Sequence, residues 1–260
     1  MTQLKIRVKI CGIRNLDDAL VAAEAGADFI GLVFVPGRHR RLEPQAAKVI
    51  VSGLKDAGAA PQVVGLFADQ DLEEVNRTIE ICGLDLAQLC GQESLDYCTQ
   101  TRAKVIKVVH IPEPARRPDH PSTSSGRTGP AHSEYASVRG EPVEPPAIDV
   151  AIPDLARQVN AYREAGHLVT LDRLVEGLQG GTGESFDWSI AAQLSRQGSS
   201  FLLAGGLAPD NVGQAVATVR PWGVDVSSGV ETNGDKDHEK IREFIRSAKE
   251  QSAISPQPSS

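Results

Sequence analysis

The sequence predicts an α/β protein built as a (β/α)8 TIM barrel in a single domain. Eight short apolar runs rich in β-branched residues alternate with eight longer segments whose apolar residues recur at helical spacing. The runs are almost continuously apolar, as expected for parallel strands covered by helices. Eight such units in about 250 residues fit the size of a closed barrel, and an open doubly wound sheet is the structural alternative.

Residues at the ends of several predicted helices favour these boundaries. Asn15 can cap the first helix, Pro44 suits the first turn of the second, and Gly26, Gly83 and Gly166 follow predicted helix ends. The predicted strands are 8–11, 28–34, 62–67, 84–89, 104–111, 168–172, 200–204 and 223–227. The predicted helices are 16–25, 44–57, 71–82, 95–101, 153–165, 187–196, 209–218 and 237–249.

Residues 113–149 interrupt this alternation after the fifth strand. The segment is rich in Pro, Ser, Gly and charged residues and nearly lacks apolar ones, so it cannot bury enough surface to compensate its ordering entropy. We expect a disordered or irregular insertion, and a lid over the site is the functional alternative. We expect the barrel to comprise residues 1–250 around this insertion, with 251–260 as a flexible tail.

Composition limits the possible partners and location. The net charge of −7 argues against a nucleic-acid partner, and no run of about 18 apolar residues is available to cross a membrane. The start of the chain does not resemble an export signal, so we expect a cytoplasmic protein with reduced thiols. No CxxC pair suggests a zinc or redox site; the four cysteines are Cys11, Cys82, Cys90 and Cys98.

Three glycine-rich turns follow predicted strands six to eight and precede helices. Glycines allow a ligand to approach the backbone closely, and helix N-termini attract anions. Barrel enzymes often bind phosphate in the loops after strands seven and eight. Neither a P-loop nor a dinucleotide fingerprint is present, so we expect a phosphorylated small molecule. The candidate phosphate-binding residues are Gly181, Gly183, Gly205, Gly206, Ser228 and Gly229.

Polar residues also follow several predicted strands. Cys11 ends the first, 38–41 (RHRR) follow the second, Cys90 ends the fourth and Asp172 ends the sixth. In a barrel these groups would share one face and could supply a general acid, a general base and an anion clamp. Nearby cations would lower the pKa of the thiol. The alternatives are a core cysteine, a structural Asp172 and a solvated RHRR loop.

The chain resembles a known family, the phosphoribosylanthranilate isomerases, in the segments VKICGIRNLDDAL, GGTGESFDW, LLAGGLAPDNV and VDVSSGVE. The resemblance implies an Amadori rearrangement of a phosphosugar without cofactor or metal. It further implies Cys11 as general base, Asp172 as general acid and Arg40 as the group that binds the anthranilate carboxylate. The glycine turns would bind the phosphate, and we expect a monomer or homodimer.

The chain departs from the family pattern at several positions. Cys90 stands in QLCG where the family usually has QLHG, and GRHRR replaces a KSPR-type loop, so Arg38 and Arg41 compete with Arg40. Two other functions stay open: another phosphosugar enzyme on a similar barrel, or a catalytically silent barrel that binds a phosphorylated ligand. Metal-dependent epimerases need histidine ligands at strand ends, and we expect none there.

Overall fold

The computed structural model describes residues 5–59, 61–111, 152–173 and 188–254. Within these ranges eight parallel strands form a closed barrel in chain order, because β1 pairs with both β2 and β8. The strands are β1 (Arg7–Cys11), β2 (Phe29–Val33), β3 (Gln62–Phe67), β4 (Leu86–Leu89), β5 (Lys104–Ile111), β6 (Leu168–Arg173), β7 (Leu202–Leu203) and β8 (Gly223–Val226). The closed ring confirms the predicted (β/α)8 barrel and excludes the open sheet.

Helices follow the strands around the ring. They are α1 (Leu16–Ala25), α2 (Pro44–Asp56), α3 (Leu72–Cys82), α4 (Leu95–Gln100), α5 (Ile152–Glu164), α6 (Ser189–Arg196), α7 (Val212–Val219) and α8 (His238–Ile254). The predicted cap is confirmed, since the Asn15 side chain accepts a hydrogen bond from the Asp18 N–H at 2.8 Å. The glycines predicted past helix ends all adopt positive φ: Gly26, Gly83 and Gly166.

The elements differ from prediction mainly in the last third. Helix α7 begins at Val212 rather than at 209, because the Asn211 side chain holds residues before it in a turn: its Oδ1 accepts from the Ala208 N–H at 2.9 Å. Helix α8 continues to Ile254, four residues into the segment 251–260 expected as a tail, and residues 255–260 lie outside the described ranges. The insertion 113–149 also lies outside them, so its disorder and a lid role stay predictions.

Two apolar layers follow from the alternation of side chains along each strand. One layer packs between strands and helices and includes Val8 and Ile10 of β1. The other fills the barrel interior and includes Cys11 of β1 and Ile106 of β5. Successive residues of a strand therefore face the helices and the barrel axis in turn, and this alternation decides which side chains reach the mouth of the barrel.

Two short strands add a hairpin after β8. A 3-10 turn (Ser228–Val230) leads into β9 (Glu231–Thr232), which pairs antiparallel with β10 (Asp235–Lys236). This hairpin places Glu231 and Lys236 opposite each other, at the end of the barrel where the strands finish.

Candidate active site

Cys11 is the last residue of β1 and faces the barrel interior. Its side chain is buried, with 6% of its surface exposed, and belongs to the interior apolar cluster. Gly31, its register partner on β2, leaves room for the sulfur: a Cβ at Gly31 would lie 3.0 Å from Sγ. The predicted location of the thiol at the carboxyl end of the first strand is therefore confirmed. The sulfur lies inside the barrel and not in the layer between strands and helices.

A buried ion pair lies one step below Cys11 on the same inner face. Lys9 is fully buried, and its Nζ donates to both carboxylate oxygens of Asp225 on β8, at 2.9 and 3.0 Å. Burial alone would lower the pKa of Lys9, but the carboxylate outweighs it and the pKa is raised. Lys9 is thus charged, and its positive charge acts to lower the pKa of the nearby Cys11 thiol.

The surroundings of Cys11 act on its pKa in opposite directions. Burial raises the pKa, whereas the cations Lys9 and Lys236 lower it, and Asp225 raises it. The net result is a raised pKa, so our expectation of a lowered one is wrong. The expectation took account of nearby cations but not of the depth of the thiol, and desolvation of the charged form is the larger effect.

Arg40 is the one cation of the RHRR loop that the structure directs inward. Its guanidinium binds Glu231 in a bidentate pair, with Nε–Oε1 at 2.7 Å and Nη2–Oε2 at 2.6 Å. Arg38, His39 and Arg41 are exposed instead. Of the three arginines, Arg40 is therefore the one whose guanidinium is held at the rim near Cys11, and its role in substrate binding stays a prediction.

Glu231 also links Arg40 to a lysine of the hairpin. Lys236 Nζ donates to Glu231 Oε1 and to the Ser227 carbonyl, both at 2.8 Å. Burial raises the pKa of Glu231, but the hydrogen bonds from Arg40 and Lys236 outweigh it and the pKa is lowered. Two cations on one carboxylate leave the group with a net positive charge, which favours an anionic substrate here.

Asp172 lies near the carboxyl end of β6 and is partly exposed. Val169 and Leu171 pack in the outer layer, while Leu168 packs against the interior cluster. By alternation Asp172 faces inward, as Cys11 does on β1. Since all eight strands are parallel, the thiol and the carboxyl share the inner wall at the same mouth of the barrel.

The turns after β7 and β8 pack against each other at the same rim. A Cβ at Gly229 would overlap the carbonyl oxygen of Leu207, so only glycine fits there. Gly205 and Gly206 adopt positive φ of 89° and 66°, and the Asn211 amide donates to the Gly206 carbonyl at 2.9 Å. Ser228 and Gly229 open the 3-10 turn, whose first N–H groups have no acceptor within the turn. Gly181 and Gly183 lie outside the described ranges.

Cys90 also faces the interior, but it is not poised to ionise. It follows β4 and packs against the interior cluster, and the Gln88 amide nitrogen lies 3.6 Å from its sulfur. Burial raises the pKa of Cys90 to about 12. The side chain is therefore a neutral thiol at physiological pH.

Sequence reasoning missed several polar residues of the inner wall. Lys9 and Asp225 were read only as strand residues, although Lys9 alternates with the apolar Val8 and Ile10. His110 on β5 contradicts our expectation that no histidine lies at a strand end. Alternation between the apolar Val109 and Ile111 could have revealed its inward direction.

Two further features bear on cofactors and membranes. In the described part of the chain, no three His, Cys, Asp or Glu side chains lie close enough together to hold a metal ion. Over the same ranges, none of the helices combines the length and the apolar character needed to span a bilayer.

A closed barrel that brings a thiol, a carboxyl and glycine turns together at the carboxyl ends of its strands has the architecture of a (β/α)8 barrel enzyme. The family model described as N-(5'phosphoribosyl)anthranilate (PRA) isomerase matches residues 8–123 and 137–247. The chain belongs to this family. The gap between the two matched ranges, residues 124–136, falls within the segment predicted as an insertion.

Individual proteins with the same family name are also similar to this chain. The N-(5'-phosphoribosyl)anthranilate isomerase of Geobacter sp. (strain M21) is 43% identical over 244 residues, 94% of this chain and 98% of the relative. The crystal structure of phosphoribosyl anthranilate isomerase from Thermotoga maritima is 33% identical, with a TM-score of 0.72 over 94% of this chain and 99% of that one. A structure of the isomerase in complex with reduced 1-(o-carboxyphenylamino)-1-deoxyribulose 5-phosphate has a TM-score of 0.68 at 33% identity, with the same coverage.

Proposed function

We propose that this chain converts N-(5-phospho-β-D-ribosyl)anthranilate to 1-(2-carboxyphenylamino)-1-deoxy-D-ribulose 5-phosphate in L-tryptophan biosynthesis. It is an aldose–ketose isomerase of the family to which it belongs. The observation that carries the mechanism is the position of Cys11 and Asp172 on one inner wall, at one mouth of the barrel. A thiol and a carboxyl placed there can act as the base and the acid of a proton-transfer reaction.

Asp172 is the general acid. In its protonated form it donates a proton to the furanose ring oxygen, the C1–O bond breaks, and the substrate opens to a Schiff base. Cys11, as thiolate, then removes the C2 proton. The resulting enolamine takes up a proton at C1 as it tautomerises to the ketose, so the product is an isomer of the substrate and no redox partner is consumed.

The charges around Cys11 suit the base. Lys9 and Lys236 stabilise the thiolate, while burial favours the thiol. A thiolate formed against a raised pKa is scarce but strongly basic, which helps it to take a proton from carbon. The apolar interior neighbours of Cys11 keep bulk water away from the sulfur.

The rim binds the two anionic groups of the substrate. Arg40 binds the anthranilate carboxylate, and Glu231 holds its guanidinium in position. The phosphate lies at the glycine turns, bound by backbone N–H groups of Gly205, Gly206, Ser228 and Gly229, and by Gly181 and Gly183 from the segment beyond β6. The packing of Gly229 on Leu207 supports this site, since it joins two of the three turns.

Some accompanying predictions complete the proposal. The reaction requires no cofactor or metal ion, and the partner of the chain is the phosphosugar, with no nucleic acid or membrane. The enzyme is a monomer or homodimer and is cytoplasmic.

The proposal is tested by following the loss of substrate fluorescence with freshly prepared phosphoribosylanthranilate. We expect wild-type turnover, and a fall of about 10²–10⁴-fold in kcat for Cys11→Ala and for Asp172→Asn. Cys98→Ala is the matched control: Cys98 is equally buried but lies in α4, outside the barrel, so its kcat should stay within a few-fold of wild type. A wild-type protein that binds the substrate without turnover would support the silent barrel instead.

A further inference from the structure

We propose that the carboxamide of Gln88 and the hydroxyl of Thr170 together bind the C2 hydroxyl group of the substrate sugar. The inference rests on the proposed function, since it assigns two further substrate-binding residues to the same reaction. It arises from two buried polar atoms on the inner wall that have no hydrogen-bond partner in the described part of the chain.

Both side chains belong to the inner wall of the barrel. The two chain neighbours of Gln88 on β4 pack in the outer layer, so Gln88 faces the interior. The two chain neighbours of Thr170 on β6 also pack in the outer layer, so Thr170 faces the interior as well. Only 5% of Gln88 and 1% of Thr170 is exposed, which makes them deeply buried polar residues.

The register of the sheet places Gln88 and Thr170 at about the same level of the barrel. Gln88 pairs with Ile106 of β5, and Ile106 pairs with Leu168 of β6. Because strands tilt in a barrel, residues at one level advance by about one position from each strand to the next. Two strands beyond Gln88, this path reaches Thr170. The two side chains therefore flank β5, which lies opposite β1 and Cys11 in the ring.

Each of the two side chains leaves one oxygen unpaired within the described ranges. The Gln88 amide nitrogen lies 3.6 Å from the sulfur of Cys90, so the amide extends from its strand toward the mouth of the barrel. Its Oε1 is buried without a partner, and so is Oγ1 of Thr170. A buried polar atom without a partner is unfavourable, and a ligand that hydrogen-bonds to it removes the penalty.

The chemistry of these two oxygens selects a hydroxyl group. The amide Oε1 only accepts hydrogen bonds, whereas the threonine hydroxyl both donates and accepts. A phosphate or carboxylate oxygen has no hydrogen to donate to Oε1, but a hydroxyl can donate to Gln88 and accept from Thr170. The charged groups at this depth are already paired, since Lys9 donates to both oxygens of Asp225.

The reaction places a hydroxyl on the side of the substrate that faces this wall. In the proposed mechanism C2 carries both the hydrogen that Cys11 removes and a hydroxyl group. The bonds of a tetrahedral carbon diverge, so a C2–H bond directed at β1 leaves the hydroxyl directed away from β1, toward Gln88 and Thr170. Holding the hydroxyl there keeps the C2–H bond aimed at the Cys11 sulfur. A bound water that satisfies the same oxygens without touching the substrate is the alternative.

Two ligands that differ only at C2 test this contact directly. The reaction product has a carbonyl at C2, whereas the product reduced at that carbon has a hydroxyl. In isothermal titration calorimetry we expect Gln88→Met to weaken binding of the reduced product about tenfold, because its hydroxyl loses an acceptor. The affinity for the unreduced product should stay within a few-fold, because a carbonyl cannot donate to the amide oxygen.

The isosteric Thr170→Val removes the donor and should weaken binding of both ligands, and it provides the test if Gln88→Met does not fold. Each variant should lower kcat/KM for the isomerisation about tenfold. The Tm of the ligand-free variants should not fall, because each loses a polar atom that has no partner within the described ranges.

Ser199→Ala is the matched control for these variants. The Ser199 hydroxyl is also buried and unpartnered within the described ranges, but it precedes β7, at the opposite end of the barrel. Its loss should change neither kcat/KM nor the affinity for either ligand.

The outcomes separate this inference from the proposed function. Equal weakening of both ligands in Gln88→Met overturns the contact with the C2 hydroxyl. Unchanged affinities and unchanged kcat/KM in both variants also overturn it and indicate a bound water only. A wild-type protein without turnover would overturn the proposed function, whereas wild-type turnover with unaffected variants overturns this inference alone.

Discussion

Lys9 donates from its ammonium group to both carboxylate oxygens of Asp225, at 2.9 and 3.0 Å, although 216 residues separate the two in the chain. The pair closes the ring between the first and last strands of the barrel. It also sets a cation directly beneath the thiol of Cys11 on the same strand face. One contact therefore serves both the closure of the fold and the electrostatics of the site.

Removing one partner of this pair should lower the free energy of unfolding of the barrel. Lys9→Met leaves the Asp225 carboxylate buried without a counter-charge, which we expect to cost about 3–5 kcal/mol in the free energy of unfolding. Urea denaturation followed by circular dichroism measures it. Arg7→Met is the control on the same strand, because Arg7 pairs with Asp28 at the surface and such pairs contribute about 0–1 kcal/mol. Equal losses in the two variants would contradict the prediction.

Substituting Gly229 should disturb the contact between the glycine turns that follow β7 and β8 and weaken substrate binding. Gly229→Ala places a methyl group against the Leu207 carbonyl, so the turn after β8 must shift. A hydrogen bond to a charged group contributes about 1.5–3 kcal/mol, and losing one should raise KM about tenfold or more with a smaller effect on kcat. Steady-state kinetics of Gly213→Ala give the comparison, since a Cβ there meets no atom closer than 3.9 Å. A normal KM for Gly229→Ala would exclude a shared phosphate site.

Lowering the pH should weaken the ion pair between Glu231 and Arg40. The pKa of Glu231 is lowered in the folded protein, so its ion pairs contribute stability above the unfolded value of about 4.3 and lose it as pH falls through the lower folded value. The difference in Tm between wild type and Glu231→Gln should therefore be largest near neutral pH and shrink as pH falls below about 4. Glu43→Gln removes the exposed partner of Arg41 and should change little at any pH. A constant difference for Glu231→Gln would contradict an ion-pair origin.

Alkylation should report the raised pKa of Cys11. The thiolate is the reactive form, so the rate of labelling by iodoacetamide should still rise above about pH 8.5, where an ordinary thiol levels off. Peptide mass spectrometry distinguishes Cys11 from the other three cysteines. Lys236→Met removes a cation that lowers the pKa and should slow labelling further at neutral pH. A plateau well below pH 8.5 would mean that the cations outweigh burial.

Most of the architecture could be predicted from local pattern. Helix α1 begins after Asn15 and ends before Gly26, as expected from the chemistry of a cap and of a left-handed glycine. The strands appear as apolar runs because both faces of each strand are buried. Cys11 and Asp172 could be placed at strand ends because strand boundaries are local, and parallel strands finish at one rim.

Only the tertiary structure decided which residues distant in the chain come into contact. Arg40 is distinguished from Arg38 and Arg41 by Glu231, about 190 residues away, and no local pattern encodes that contact. The direction of the Cys11 pKa shift depends on burial, which arises only once the ring has closed. By itself the sequence determined which segments become strands and helices and which residues end the strands, since those follow from propensity and periodicity. The charges that meet across the barrel follow from packing, which only the folded chain completes.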